Sequence, residues 1–367
     1  RAARRGIVLP GLPQGGVGSA VHWRAPLTLA SRPSFGRRVL IIAELSLRQC
    51  RKYRVDQKVD FLHRLGLQAT VLPWQDFEAC RRALQTHGMV VFYRTPAFDD
   101  VVALTEEARR LGLVSFFDLD DLIFDADEYA RNSNVAALPA DERDVLMNGV
   151  RLYRAMMSLV DHCIASTPTL VVRMQALVDG RVFLLENALD THLLDLASVP
   201  CPGRDPATVV IGYGSGTTTH DADFMSVAPA LLRIMEDFPQ VRLAVYGHLR
   251  LPDYFEARTH QIVRIPLLDA DDYYQSLSRF DISLAPLERN VFNDAKSNIK
   301  FLEAALFGVP SVCSPGAAFM QVVNHGVNGF LASNDDEWYA TLRRLVEDVG
   351  LRQHVGDEAR RGVLEQY

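Results

Sequence analysis

The chain has 367 residues, 48% hydrophobic and 23% charged, with a net charge of −6. That balance is globular, excludes a disordered, collagenous or coiled-coil chain, and at about 150 residues per domain predicts two domains, each large enough to bury a core. No apolar run reaches the roughly 18–20 residues of a membrane helix, and the first 36 residues carry five arginines and no acid, which leaves −11 on the rest and argues against nucleic acid as a partner.

The basic head is broken by Pro10, Pro13, Pro26 and Pro33 and lacks the apolar stretch of a signal peptide, so 1–36 reads as a linker or tail. The first residue is Arg, and a piece cut from a longer, multidomain chain is expected. From residue 39, short apolar runs alternate with helical patterns. Strands are predicted at Val39–Ala43, Ala69–Leu72, Met89–Tyr93, Leu113–Phe117, His162–Ala165 and Val182–Leu185. Helices are predicted at Tyr53–Leu65, Phe77–Thr86, Asp99–Leu111, Asp141–Val160 and from Pro168 onward. The stretch Ser198–Pro206 has three prolines and a glycine in nine residues and reads as an interdomain linker.

The second half repeats the rhythm. Strands are predicted at Val209–Tyr213, Val241–Tyr246, Ile262–Ile265, Ile282–Ala285 and Ser311–Cys313. Helices are predicted at Asp221–Phe238, Ala270–Arg279, Ser297–Phe307 and in two segments near Asp335–Val349 and Leu351–Glu365. Alternation of this kind means parallel sheets. The expected architecture is α/β, two Rossmann-like doubly wound domains over 37–197 and 207–367 facing across a cleft, with the last helix able to pack back on the first domain. Five cysteines at unpaired spacings (Cys50, Cys80, Cys163, Cys201, Cys313) read as reduced thiols of a cytoplasmic protein.

Four stretches carry candidate chemistry. Gly212-Tyr-Gly214-Ser215-Gly216 lies between a strand and a helix; it fits an anion-holding loop or a tight turn, while Thr217 and the missing acid after the next strand speak against a nicotinamide cofactor. Asn293 to Pro310 runs from a loop into a helix with Lys296 and Lys300 at its start. Lysines repel a helix N-terminus, so a bound diphosphate would account for them; a solvated face with a Lys300–Glu303 pair is the plain alternative. Asp118-Leu-Asp120-Asp121 ends a very apolar strand and fits metal binding, acceptor positioning with general-base work, or loop capping. Cys50 to Lys58 holds four cations in a stretch expected to face the cleft, which suits an anionic ligand or a solvated charge run.

At these residues the chain resembles family 4 of the retaining glycosyltransferases, with the GT-B fold, over roughly 38–367. The resemblance rests on Lys300-Phe-Leu-Glu303-Ala-Ala-Leu-Phe-Gly308-Val-Pro310 followed by Gly326-Val-Asn-Gly329-Phe330; Tyr53-Arg54-Val55 and the Asp118 cluster resemble a bacterial subgroup that builds surface polysaccharides. It implies that Glu303 binds a ribose, that the N–H groups of Ile299 and Lys300, with Lys296, Ser297 and Asn298 around them, hold a donor diphosphate, and that Gly214, Ser215 and Gly216 form the glycine-bearing loop. Pro266 and Leu267 fall where the base sits. Asp120 and Asp121 fall on the catalytic acceptor side, Lys300 acts on the leaving group, and Tyr53 and Arg54 face the acceptor or a phosphate.

The family's first glutamate is replaced by Ala295, with Asp294 or Asn293 nearby to substitute, and Thr217–Asp223 lacks the usual cations, which leaves Lys296, Lys300, Arg289 or Arg54 to supply charge. The implied activity is transfer of a sugar from a nucleotide diphosphate sugar to a glycan or lipid-linked glycan, with no metal and no further cofactor, in the cytoplasm or peripherally at the inner face of the membrane. A nucleotide-sugar epimerase and a non-catalytic sugar-nucleotide-binding module are the alternatives.

Overall fold

A computed structural model describes residues 35–199, 205–215 and 221–367. It contains two six-stranded sheets with every pairing parallel. The first has β1 (Arg38–Ala43), β2 (Gln68–Pro73), β3 (Met89–Tyr93), β4 (Val114–Leu119), β5 (His162–Ala165) and β6 (Val182–Leu184) in the order β2-β1-β3-β4-β5-β6. The second has β7 (Val209–Ser215), β8 (Val241–Gly247), β9 (Ile262–Ile265), β10 (Ile282–Ala285), β11 (Ser311–Cys313) and β12 (Phe330–Leu331) in the order β12-β11-β10-β7-β8-β9. Central strands such as Val39–Ala43 and Ile282–Ala285 are buried throughout, as expected where helices cover both faces. Each sheet reverses its winding once, between β1 and β3 and between β7 and β10; ligands of open α/β sheets bind at the carboxyl ends of the strands at that point.

Several predicted elements change in detail. The first helix starts earlier, at Arg48–Arg51, passes through a wide π-turn at Lys52–Asp56 and continues as Gln57–Arg64. The π-turn buries Tyr53, Arg54 and Val55 together, which a regular helix with one buried face does not do. The single helix expected at Asp221–Phe238 is two, Asp221–Met225 and Ala228–Asp237, because Pro229 has no N–H to continue the first and is accommodated in the first turn of the second. β7 extends through Ser215, so Gly214 and Ser215 belong to a strand rather than a loop.

The halves interlock. The first domain's hydrophobic cluster contains Phe292 and Ala295 from the short helix Val291–Asp294 and its end, and the Phe292 ring lies 5.6 Å from that of Tyr129. In return Tyr53 enters a cluster otherwise built largely from the second half, including Phe301 and Leu302. Polar contacts run alongside: Thr167 Oγ1 donates to Ala295 O at 3.0 Å, and Ser133 Oγ to the Glu288 carboxylate at 2.7 and 2.9 Å. The last helix, Val349–Gln366, packs mainly on Ile299–Leu306 and touches the helix Thr191–Ser198 through Arg360 to Ala197 O at 3.5 Å.

Candidate active site

Three groups of charged residues meet where the two sheets present their carboxyl ends. In the first, Arg54 and Lys58 converge on Asp118. Arg54 donates to Asp118 Oδ1 at 2.7 and 3.2 Å and to Leu185 O and Asn187, and Lys58 Nζ bonds both Asp118 Oδ2 and Arg54 O. All three side chains are buried. The two cations hold the Asp118 carboxyl below its ordinary range despite burial, and burial lowers Lys58 to about 8. The expected anion-binding role of the Cys50–Lys58 cations is therefore corrected: Arg54 and Lys58 serve Asp118, Lys52 pairs with Asp190 at 2.6 Å, and Arg51 with Asp56 at 3.3 Å.

In the second group Arg94 bridges two acids. Its Nη1 lies 3.0 Å from Asp120 Oδ1 and its Nη2 3.4 Å from Asp121 Oδ2, while Tyr93 Oη donates to Asp120 Oδ2 at 3.1 Å. Burial and Asp121 push Asp120 up, against the pull of Arg94. Arg94 sits directly after β3, beside the point where the first sheet reverses, and is the one non-glycine among the described residues with positive φ, 51°; such strain clusters at functional positions. Arg94 lies outside the sequence motifs, although a cation directly following a buried strand is a signal for it. Asp121 Oδ1 reaches Lys296 Nζ of the other half at 3.7 Å. All three acids of the cluster thus face cations, and among the described residues no group of three or more His, Cys, Asp or Glu is placed to hold a metal ion.

The third group is the start of the helix Ile299–Leu306. The N–H groups of Ile299 and Lys300 have no hydrogen-bond partner among the described residues, and Asn298 at the N-cap does not cap them with its side chain. Lys300 Nζ is buried, 4.3 Å over the Tyr213 ring, with no hydrogen-bond partner among the described residues. Burial lowers it to about 8, against Asp223 and Glu303, which favour its charge. Lys296 leans over Phe292 at 4.9 Å, and Ser297 and Asn298 line a narrow gap between the halves together with Asp294, Ser166 and Thr167.

Glu303 is placed one turn on, but its carboxylate is already engaged. Tyr53 Oη donates to Oε1 at 2.7 Å and Tyr273 Oη to Oε2 at 3.5 Å; the residue is 2% exposed, and burial raises it to about 7. Neither tyrosine contact was expected, since both depend on chain segments distant in sequence. Gly214 lies against the same ring: a Cβ there would stand 2.4 Å from Tyr273 Oη, so any larger residue would have to displace that ring from Glu303. Gly216 lies outside the described residues. Ser215 Oγ donates to His248 O at 2.6 Å. Pro266 and Leu267 follow β9 and are exposed, with Leu267 beside Gly247; the φ of +81° there, and the 2.2 Å at which a Cβ would stand from Ser215 O, exclude a side chain.

A cavity of about 500 Å³ opens at the carboxyl ends of β10 and β11, lined by Glu288, Arg289, Asn293, Asp294 and Gly316 among others. Asn293 is spent on Asp223 Oδ1 and Glu288 O, at 2.8 and 2.9 Å. Asp294 accepts from Ala317 N at 3.1 Å and lines both the cavity and the gap beside Lys296. Ala295 is 1% exposed against the first domain, a place with no room for the longer, charged side chain of a glutamate.

Residues 213–348 match the family model described as Glycosyl transferases group 1. An uncharacterized glycosyltransferase of Methanocaldococcus jannaschii is 24% identical over 160 residues, 41% of this chain; the chain covers 40% of that relative's length. The whole fold is similar to that of Anabaena HepE in complex with UDP, at TM-score 0.60 and 14% identity, covering 90% of this chain and 95% of the other. It is also similar to a sucrose-phosphate synthase of Thermosynechococcus elongatus, at TM-score 0.59 and 12% identity, covering 90% and 94%. The two Rossmann-like sheets are those of the GT-B fold.

Proposed function

We propose that the protein is a retaining glycosyltransferase that moves a sugar from a nucleotide diphosphate sugar to a hydroxyl of a glycan or lipid-linked glycan, in the cytoplasm and in the service of a bacterial surface polysaccharide. The observation that carries this reading is the buried ammonium of Lys300, without a hydrogen-bond partner among the described residues, on a helix whose first two N–H groups also have none among them. An ammonium in that state is costly unless an anion completes it, and a diphosphate completes both features at once. The UDP in the HepE structure and the glycosyl transferase group 1 match support it.

In the proposed step the bond from the sugar C1 to the diphosphate oxygen breaks, the acceptor oxygen bonds C1 on the same face, and the hydroxyl proton passes to Asp120 or Asp121. Lys300, Lys296 and the helix dipole take up the charge that develops on the leaving diphosphate. Arg94 holds the two acids in place. The sugar ring occupies the cavity edged by Asp294, which stands in for the acid missing at 295. The ribose diol takes the place of the Tyr53 hydroxyl on Glu303 as the halves part, and the base lies along Leu267. The step itself calls for no metal and no further cofactor.

A thermal-shift panel of nucleotide diphosphates and nucleotide sugars tests this. One member present at about 100 times its dissociation constant should stabilise the protein by about 2.7 kcal/mol, and the same sugar should appear on an added acceptor. A panel in which no nucleotide diphosphate stabilises the protein overturns the reading.

A further inference from the structure

Pro73, Ala43 and Tyr93 stand in one register row across β2, β1 and β3, and each is the last residue of its strand. The next position on each chain segment places Trp74, Glu44 and Arg94 side by side along the carboxyl edge of the first sheet. Glu44 N donates to Tyr93 O at 3.0 Å and Trp74 N to Ala43 O at 3.2 Å, which fixes both loop starts to their neighbours. The Trp74 indole stacks on Phe98, the residue before the helix Asp99–Arg110, with ring centroids 5.6 Å apart and planes 30° from parallel. Both rings pack on the first domain's hydrophobic cluster and remain half-buried. Trp74 Nε1 donates to Glu44 Oε2 at 2.9 Å, and Ser46 N donates to Glu44 Oε1 at 2.8 Å. Each carboxylate oxygen thereby keeps one lone pair for a further donor. Burial pushes the Glu44 carboxyl up, but these hydrogen bonds and Arg94 outweigh it and hold the group below its ordinary range, so it stays an ionised acceptor at neutral pH.

A half-buried aromatic pair rimmed by an ionised carboxylate suits one ligand chemistry. A pyranose ring carries C–H groups on a face and hydroxyls around its edge; the C–H face lies against an aromatic plane, and the hydroxyls donate to a carboxylate. We propose that Trp74, Phe98 and Glu44 form the subsite that receives one sugar ring of the acceptor. The inference rests on the transferase reading above and narrows it: the attacking hydroxyl belongs to a sugar already in place, and not to a bare lipid or a phosphate. The subsite adjoins the acids assigned to the proton. β2 and β3 lie on either side of β1, so Trp74 and Arg94 leave the sheet about 10 Å apart, a gap that one sugar ring and its hydroxyls fill. Arg94 in turn holds Asp120 and Asp121 at 3.0 and 3.4 Å. A ring seated on Trp74 therefore offers a hydroxyl towards those two carboxyls.

The test is titration of the full chain with the methyl glycosides of glucose, galactose, mannose and N-acetylglucosamine, with glycerol as the polyol control, read by saturation-transfer NMR. In a Trp23→Phe background the tryptophan emission adds a second readout, because Trp338 is buried and Trp74 is not. At least one glycoside should bind with millimolar affinity and shift the emission, and glycerol should do neither. Trp74→Leu keeps apolar volume on the cluster but removes the plane, and should weaken that glycoside by about tenfold or more. Trp74→Phe keeps a plane and loses the indole N–H, so its affinity should fall between parent and Trp74→Leu. Glu44→Gln should weaken binding by about tenfold. No glycoside that binds, or one that binds Trp74→Leu as it binds the parent, overturns the proposal. Calorimetry of the parent with UDP, ADP and GDP separates the two levels. If a nucleotide diphosphate binds and the glycosides fail, this inference alone is wrong; if none binds, the transferase reading is wrong and the subsite loses its acceptor role with it.

Discussion

The Asp118 knot and the Lys300 helix start lie at the carboxyl ends of the two sheets, and both contain buried charge, but they are finished differently. Asp118 meets two cations, and those cations are in turn satisfied by Leu185 O, Asn187 and Arg54 O. Lys300 meets an aromatic face, with no carboxylate in hydrogen-bond reach among the described residues. A closed set of charges holds a domain together, whereas an open one leaves part of its satisfaction to a ligand. The first set was the more conspicuous in sequence, with four cations and a run of acids, and it turned out to be architecture. The second showed only two lysines at a helix start.

Breaking the closed set should have the largest effect. Asp118→Asn leaves Arg54 and Lys58 buried without a counter-charge and should cost about 3–5 kcal/mol of stability, read by urea unfolding. Lys300→Met should do the reverse of that pattern. The melting temperature holds or rises, while the transfer rate falls by about 10²- to 10³-fold, as for loss of one preorganised charge-stabilising donor. With Lys300 at about 8, nucleotide binding should be full below that pH and fall as pH rises through it; Lys300→Arg, which stays charged, should abolish the fall.

Glu303 lies between the two cases. Its folded-state value of about 7 is above the ordinary 4.5, so the folded protein holds the extra proton between them. Stability should be greatest below about pH 4.5, decline by about 3 kcal/mol up to pH 7 and level off above. Glu303→Gln should flatten that decline in unfolding curves taken across the range. The smallest effect is expected from Tyr53→Phe: one hydrogen bond to Glu303 is lost, and nucleotide diphosphate binding tightens by about 2- to 12-fold because the diol no longer competes with a phenol. Weaker binding in Tyr53→Phe would instead make Tyr53 part of the bound site.

Much of this molecule was legible locally. The runs at Met89–Tyr93, His162–Ala165, Ile262–Ile265, Ile282–Ala285 and Ser311–Cys313 coincide with strands to the residue; Met89–Tyr93 and Ile282–Ala285 are buried on both faces and so read as near-continuous apolar runs, while Ile262–Ile265 is a half-exposed edge strand. Gly308, at φ 66° after Ile299–Leu306, marked its helix end for an equally local reason. The break at Ser226–Val227 was missed although Pro229 announced it.

What chain order alone determined was therefore the alternation of strands and helices, the parallel class of both sheets, and the helix start that bears Lys296 and Lys300. Those follow from periodicity and backbone sterics, which act over a few residues. Partnership was decided only by the tertiary structure. Arg54 and Lys58 were drawn into Asp118, 64 and 60 positions away; Tyr53 reached Glu303 across 250; and Ala295 was pressed into the other domain's core. Whether a buried charge is satisfied depends on atoms within about 4 Å in space, and no pattern along the chain carries that distance.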